Sequence, residues 1–339
     1  MNEKNGFISI IVLLVMSIIV IYAFYLLSTL EIDYLMVDAT LNSIQAYYAS
    51  ESKVYLLLNK DDYYNDQLLP IIKRYIKYGW IGSGYDTKFI IDKEDLIDGD
   101  NKNIIKFDFP VGNDRRILEL TVDSNIKNIN KRLIAELYII NEIFEMGLPI
   151  ITYNTLNQDK RDEFINYIEY LEKEIDISEL DDGVEGILIE DYDKINISRN
   201  ENSLQIEYYR NDLVDPIYEE MILRDEIFLL VKNRRHNNVN VNIENSYDKV
   251  YTEGIMYVEG DFNIYEDFDF KGIIIVKGRL VIYPEADVNI NGIILTGTDI
   301  KILGDQDQLV VNYDFSEIKK YGIYLPRFID IKVNKIKSN

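Results

Sequence analysis

The chain of 339 residues carries 59 acidic against 36 basic side chains, a net charge of −23, with one histidine and no cysteine. A surface this acidic lacks the basic face that phosphate backbones need, so no nucleic-acid partner is expected. The missing cysteines exclude a disulfide framework and thiol chemistry, while the length leaves room for one or two domains with real cores.

Behind a short leader, residues 1–6 (MNEKNG), residues 7–30 form an unbroken apolar run, FISIIVLLVMSIIVIYAFYLLSTL. At about 1.5 Å per residue it reaches roughly 36 Å, sufficient to cross a hydrocarbon core of about 30 Å as one helix. A bare backbone finds no hydrogen-bond partner in lipid, so a spanning segment has to be a helix or part of a closed barrel. One such run predicts a single-pass membrane protein, in contact with membrane lipid. Lys4 and the amino terminus precede the run, and Glu31 and Asp33 follow it. Basic residues beside a span stay inside, so the N-terminus is expected in the cytoplasm and the bulk of the chain outside it.

Neither Gly nor Pro falls between Phe7 and Leu69, so nothing breaks the helix as it leaves the membrane. An apolar stripe continues through Leu30, Tyr34, Val37, Leu41, Ile44 and Tyr48 in steps of 4, 3, 4, 3 and 4, then reaches Tyr55 and Leu58. This heptad spacing predicts one helix over 7–58, with residues 31–58 as an amphipathic continuation of the membrane segment. The stripe of Tyr34, Val37, Leu41, Ile44 and Tyr48 is expected to pack on the rest of the chain. A coiled-coil stalk would use the same residues.

A charged leader ending in Gly6, then Phe7, then a membrane helix running into an amphipathic one, resembles the class III signal of type IV pilins. Residues 39–52, ATLNSIQAYYASES, with Tyr48, Ala49 and Glu51, are similar to the Tyr-Ala-x-Glu-like stretch of PilX-like minor pilins of the Gram-positive type. This resemblance, confined to residues 1–58, implies cleavage by a prepilin peptidase between Gly6 and Phe7 and methylation of the new terminus. It also implies other pilin subunits as partners through the N-terminal helix. Major pilins carry a glutamate at the fifth mature position, which here is Ile11. A carboxylate is kept inside lipid only where it finds a partner, so its absence suits a tip, initiating or accessory subunit. It equally suits a signal anchor that is never processed.

Residues 59–247 read as an α+β domain. A short helix over 60–80 places Leu68, Leu69, Ile72, Tyr75 and Ile76 on one face and ends among Gly79, Gly82 and Gly84, around Trp80. Period-2 alternation predicts strands at 88–91, 104–109, 116–122 and 131–140, the last two as antiparallel neighbours joined by an Asn-rich turn. An amphipathic helix over 158–174 carries Phe164, Tyr167, Ile168 and Leu171, and further strands are expected at 186–190, 194–198, 203–209 and 226–231.

A repeat fills residues 248–312. Gly254-IMYVE-Gly260 recurs 18 residues on as Gly272-IIIVK-Gly278, and 20 residues later as Gly292-IILT-Gly297. Ile255, Ile273 and Ile293 keep the register, as do Phe262, Leu280 and Ile300. Fixed-period stacking of β-branched residues predicts a short parallel β-helix-like domain with glycines at its corners; an antiparallel meander with glycine turns is the alternative. Such glycine-punctuated repeats also occur in PilX-like proteins and in bactofilin-type scaffolds. Val239, Val241 and Ile243 offer a partial leading coil, and the tail, 313–339, either caps the repeat or folds back on the α+β block. The expected fold class is thus α+β: a long pilin-like helix, transmembrane in its first half, an α+β middle domain and the C-terminal repeat.

Little here suggests catalysis. His236 stands in a polar loop without a second His or any Cys beside it, so neither a metal centre nor a nucleophile is expected there. Asp98 with Asp100, and Asp305 with Asp307, have the alternating oxygens of a calcium loop, but neither pair completes an EF-hand pattern. Glu266, Asp267 and Asp269 sit in a turn of the repeat, where carboxylates of a glycan-cleaving β-helix could cluster, yet three coils offer little groove. The sequence predicts a non-enzymatic minor subunit of a type IV pilus or related pseudopilus, without metal or cofactor. The alternatives are a permanently anchored surface protein with a glycan-binding β-helix, and a membrane-tethered bactofilin-like scaffold.

Overall fold

The computed structural model describes residues 3–81, 87–110, 116–178, 180–200, 203–210, 213–233, 239–244, 246 and 248–338, and side chains from Ile8 onward apart from Ser9. Its first element is one helix, α1 (Glu3–Asn59), of 57 residues, about 85 Å long at the standard rise. Within it, Ile10–Asn59 is long and apolar enough to cross a membrane. The helix ends where Lys60 turns extended, and a single turn α2 (Asp61–Tyr63) and a π-turn lead into α3 (Leu69–Tyr78). Pro70 occupies the first turn of α3, where its missing N–H costs nothing, and Gly79 closes the helix in the left-handed region. Gly82 and Gly84 lie outside the described residues.

Four strands follow: β1 (Lys88–Ile90), β2 (Ile104–Asp108), β3 (Ile117–Ile126) and β4 (Ile129–Ile140). They form an antiparallel sheet in the order β1-β2-β3-β4, joined on its far side by the last strand of the chain, β19 (Ile329–Ser338). The β3–β4 hairpin turns on Lys127 and Asn128, both with positive φ, the backbone twist that a two-residue hairpin loop requires. Leu118, Leu120 and Val122 of β3 and Leu133, Ala135 and Leu137 of β4 are buried on one face. The C-terminal half of α1 lies on this hairpin.

The short β5 (Ile150–Ile151) precedes α4 (Gln158–Glu174), which is capped by the Asn157 side chain accepting from the Lys160 N–H at 3.0 Å. From there strands alternate between two further sheets. Sheet order β18-β16-β14-β12-β10-β6 comprises β6 (Glu185–Glu190), β10 (Glu226–Lys232), β12 (Val250–Val258), β14 (Phe268–Val276), β16 (Val288–Thr296) and β18 (Leu309–Asn312). Facing it are β7 (Lys194–Asn200), β11 (Asn240–Ile243), β13 (Asp261–Ile264), β15 (Leu280–Ile282) and β17 (Lys301–Ile302), with β8 (Ser203–Tyr209) and β9 (Tyr218–Ile222) added at one edge. Every pairing from β6 to β18 and from β7 to β17 is parallel; only β7–β8 and β8–β9 are antiparallel. The meander alternative therefore fails for the glycine repeat.

Two expectations about the repeat need correction. The parallel ladder begins at β6 and β7, not at residue 248. Its early strands escape the period because β8 and β9 are inserted between β7 and β10. Gly254, Gly272 and Gly292 also lie in mid-strand and in mutual register, rather than at corners. Gly272 has φ +129 and its missing Cβ would fall 2.0 Å from the Gly254 carbonyl oxygen; Gly292 has φ +151 and would meet the Gly272 oxygen at 1.8 Å. Backbone approaches backbone there so closely that no side chain fits.

Two cores result. One lies between the facing sheets and includes Phe262, Phe268, Phe270, Ile274 and Ile290. The other joins Val54 and Leu57 of α1, the antiparallel sheet, Phe164 and Leu171 of α4, and the outward side chains Phe228, Tyr257 and Ile275 of the parallel sheet. β18 extends the ladder beside β16, α5 (Phe315–Gly322) lies on β14 and β16, and β19 returns to pair with β4.

Candidate assembly surface on the N-terminal helix

Where α1 meets the sheet, the buried side chains are Asn42, Ala46, Ala49, Ser50, Lys53, Val54 and Leu57. Most are small or polar. Ala46 and Ala49 let the hairpin approach the helix backbone, with Ile126 packed against them. Ser50 and Ser124 share a hydrogen bond of 2.6 Å, and the Ser124 hydroxyl also donates to the Ala46 carbonyl.

Lys53 is the polar centre of this contact. Its Nζ donates to the carbonyl oxygens of Asp123 at 2.8 Å and Lys102 at 2.5 Å, and lies 2.5 Å from the Asp100 carboxylate. The two side chains are 2% and 0% exposed. Asp100 Oδ1 also accepts the N–H groups of Lys102 and Asn125, each at 3.0 Å. Burial pushes the Lys53 ammonium below its ordinary value, and the Asp100 partner opposes that. Two charges removed from water and so closely paired lock helix and sheet in one register.

The stripe expected to make this contact does not make it. Tyr34, Val37, Leu41, Ile44 and Tyr48 are all exposed, Tyr34 by 71% and Tyr48 by 60%. At about 100° per residue their face and the docked face are centred roughly 150° apart. The reason is steric and electrostatic together. The hairpin takes the side on which alanines and serines allow close approach and on which Lys53 finds its carboxylate. The larger apolar side chains are left outward. Tyr48, Ala49 and Glu51 straddle the boundary: Tyr48 is exposed, Ala49 buried and Glu51 half-buried.

The outward stripe continues without a break into the exposed apolar segment, where Ile10 to Leu27 and Leu30 have no cover. Isolated surface leucines are ordinary, but an apolar surface of this length calls for an apolar partner. Gly6 and Phe7 belong to the opening turns of α1, and the described side chains begin after them. Ile11 is 46% exposed on the same rod.

The remaining candidates disperse. His236 lies outside the described residues. Asp100 pairs with Lys53, while Asp98 stays on the preceding turn. Asp305 opens a short 3-10 turn containing Asp307. Glu266 accepts the Ser246 N–H, Asp267 accepts the Asp287 N–H and Asp269 pairs with Lys249, so the three carboxylates bind successive strand connections to one another. Among the described residues, no group of three or more His, Cys, Asp or Glu side chains could hold a metal ion. The sequence reading missed Lys53 and its pairing with Asp100; the signal available was a lysine in the amphipathic half of the helix, four residues after Ala49. Comparison of the chain with protein-family models, with curated proteins and with solved structures found no match.

Proposed function

We propose that this protein is a non-enzymatic, minor pilin-like subunit. On this reading α1 anchors it in the membrane until it passes into a fibre, and the C-terminal ladder is a short parallel β-helix carried outside. The observation that carries the reading is the two-faced helix: one side holds the folded domain, and the other, from Ile8 to Tyr48, is apolar and uncovered. A helix leaving lipid loses little if it enters a core of equally apolar helices, because the transfer term depends on apolar area withdrawn from water. The aliphatic Ile11, in place of a carboxylate, removes a polar pull toward the next subunit and so favours a tip, initiating or accessory place. The bulk of three sheets and their helices outside the rod suits that place too.

The mature N-terminus tests the reading. Intact mass of the membrane-extracted protein should correspond to a chain starting at Phe7, N-methylated. Gly6→Leu should abolish the cut and leave the leader in place. A wild-type chain that keeps residues 1–6 in cells with an active prepilin peptidase would overturn the proposal and favour a permanent anchor.

A further inference from the structure

A second feature has no part in assembly. Between α3, the segment after α4 and the connection from α5 to β19 lies a cleft of about 730 Å³, within the range of small-molecule sites. Lys73, Arg74, Lys77 and Arg327 line it against Glu174, Asp176 and Asp181. Cations therefore outnumber carboxylates here, in a chain where acids outnumber bases 59 to 36. Charged groups of both signs are already engaged here. Asp181 accepts hydrogen bonds from Lys77 and from the Tyr324 hydroxyl, the latter at 2.7 Å, and Asp176 accepts the Ile177 N–H at 2.6 Å. Both are held below the usual carboxylate range by these bonds and that of Ser178.

Aromatic rings accompany the cations. Tyr64, Tyr78 and Tyr324 are in the wall, with Lys77 at 5.5 Å from the Tyr78 ring centre and 5.8 Å from that of Tyr324. Arg327 lies 3.8 Å from the ring centre of Tyr170. It holds a left-handed backbone, φ +54, unusual for a side chain of this size. The Asn141 amide donating to its carbonyl at 3.3 Å and the buried Phe328 beside it maintain that conformation. Stacking on Tyr170 fixes the guanidinium of this lining residue before any ligand arrives.

We propose that this cleft binds an anionic saccharide unit, a sugar ring bearing a carboxylate or a phosphate. Guanidinium and ammonium groups meet such oxygens with charge-assisted hydrogen bonds, and tyrosine faces accept the apolar face of a sugar ring. This stands whether or not α1 enters a fibre.

Calorimetric titration of the full chain in detergent tests it, with trigalacturonate, glucose 6-phosphate, neutral maltotriose and inorganic phosphate as probes. One or both sugar anions should bind with Kd below about 1 mM and weaken with salt, maltotriose should not bind, and inorganic phosphate should bind at least about 10-fold more weakly. R74E should reduce sugar-anion affinity at least about 10-fold while circular dichroism shows the fold retained, and Y78A should weaken the sugars but not phosphate. If no sugar anion binds, maltotriose binds as well as trigalacturonate, or R74E leaves affinity intact, the proposal fails. Equal affinity for phosphate and glucose 6-phosphate, with trigalacturonate unbound, would overturn its saccharide half.

Discussion

At the Lys53–Asp100 contact, each charge is tolerable only because the other is there. Asp100→Asn leaves a buried ammonium without its counterion and should cost about 3 kcal/mol, measured by denaturant unfolding. Lys53→Met should cost a similar amount, because Asp100 keeps its two N–H donors but not its cation. The double variant should cost less than the sum of the two, and strict additivity would show the pair to be uncoupled. Gly272 answers to a different force. Its missing Cβ faces the Gly254 oxygen at 2.0 Å, and φ is +129, so relaxing one neighbour cannot accommodate Gly272→Ala. A loss of at least about 3 kcal/mol is expected from clash and strain together, with α5 loosened as well, since Tyr321 lies 3.0 Å from the same point.

The two faces of α1 should respond oppositely to substitution. Leu41→Glu with Ile44→Glu changes only exposed positions, so unfolding free energy should move by no more than about 0.5 kcal/mol, while incorporation into fibres is lost. Ala49→Leu enlarges a 1%-exposed residue under the hairpin and should destabilise the domain by about 1 to 3 kcal/mol. Circular-dichroism melting and a fibre-incorporation assay on both variants separate a docking face from an assembly face. The π-turn between α2 and α3 has a comparable local logic. It swings the chain so that Leu68, Ile72 and Ile76 face the core that Val54 and Leu57 also enter.

Over the whole molecule, tyrosines are buried in both cores. Burial raises the phenols of Tyr167, Tyr208, Tyr257 and Tyr321 well above their ordinary value, and those of Tyr265, Tyr313 and Tyr324 to about 12. Above pH 10 the folded chain therefore holds more protons than the unfolded one. The stabilisation is complete below about pH 10 and drains away as the pH rises through the folded values. Phenolate absorbance should show a late step coincident with loss of circular dichroism. One smooth titration centred near pH 10, with the fold intact, would contradict this packing.

Local residue patterns alone determined the long helix, most of the strands and the Gly254–Gly272–Gly292 register, because each depends on spacing within a short stretch or on repetition of it; β9 and β19 carried no such pattern. The α4 helix, residues 158–174, was legible for the same reason. The Tyr34–Tyr48 stripe was legible as apolar but not as outward, since hydrophobicity names a surface that needs cover without naming what covers it. Only the tertiary structure decided that the hairpin would settle on Ala46, Ala49 and Lys53, and that β19, at 329–338, would return to join β4, at 129–140. It also brought Lys77, Asp181 and Tyr324 together across a cleft, from segments with no shared pattern. Such choices depend on how closely two backbones approach and on which buried charge finds its partner, and these are properties of pairs distant along the chain.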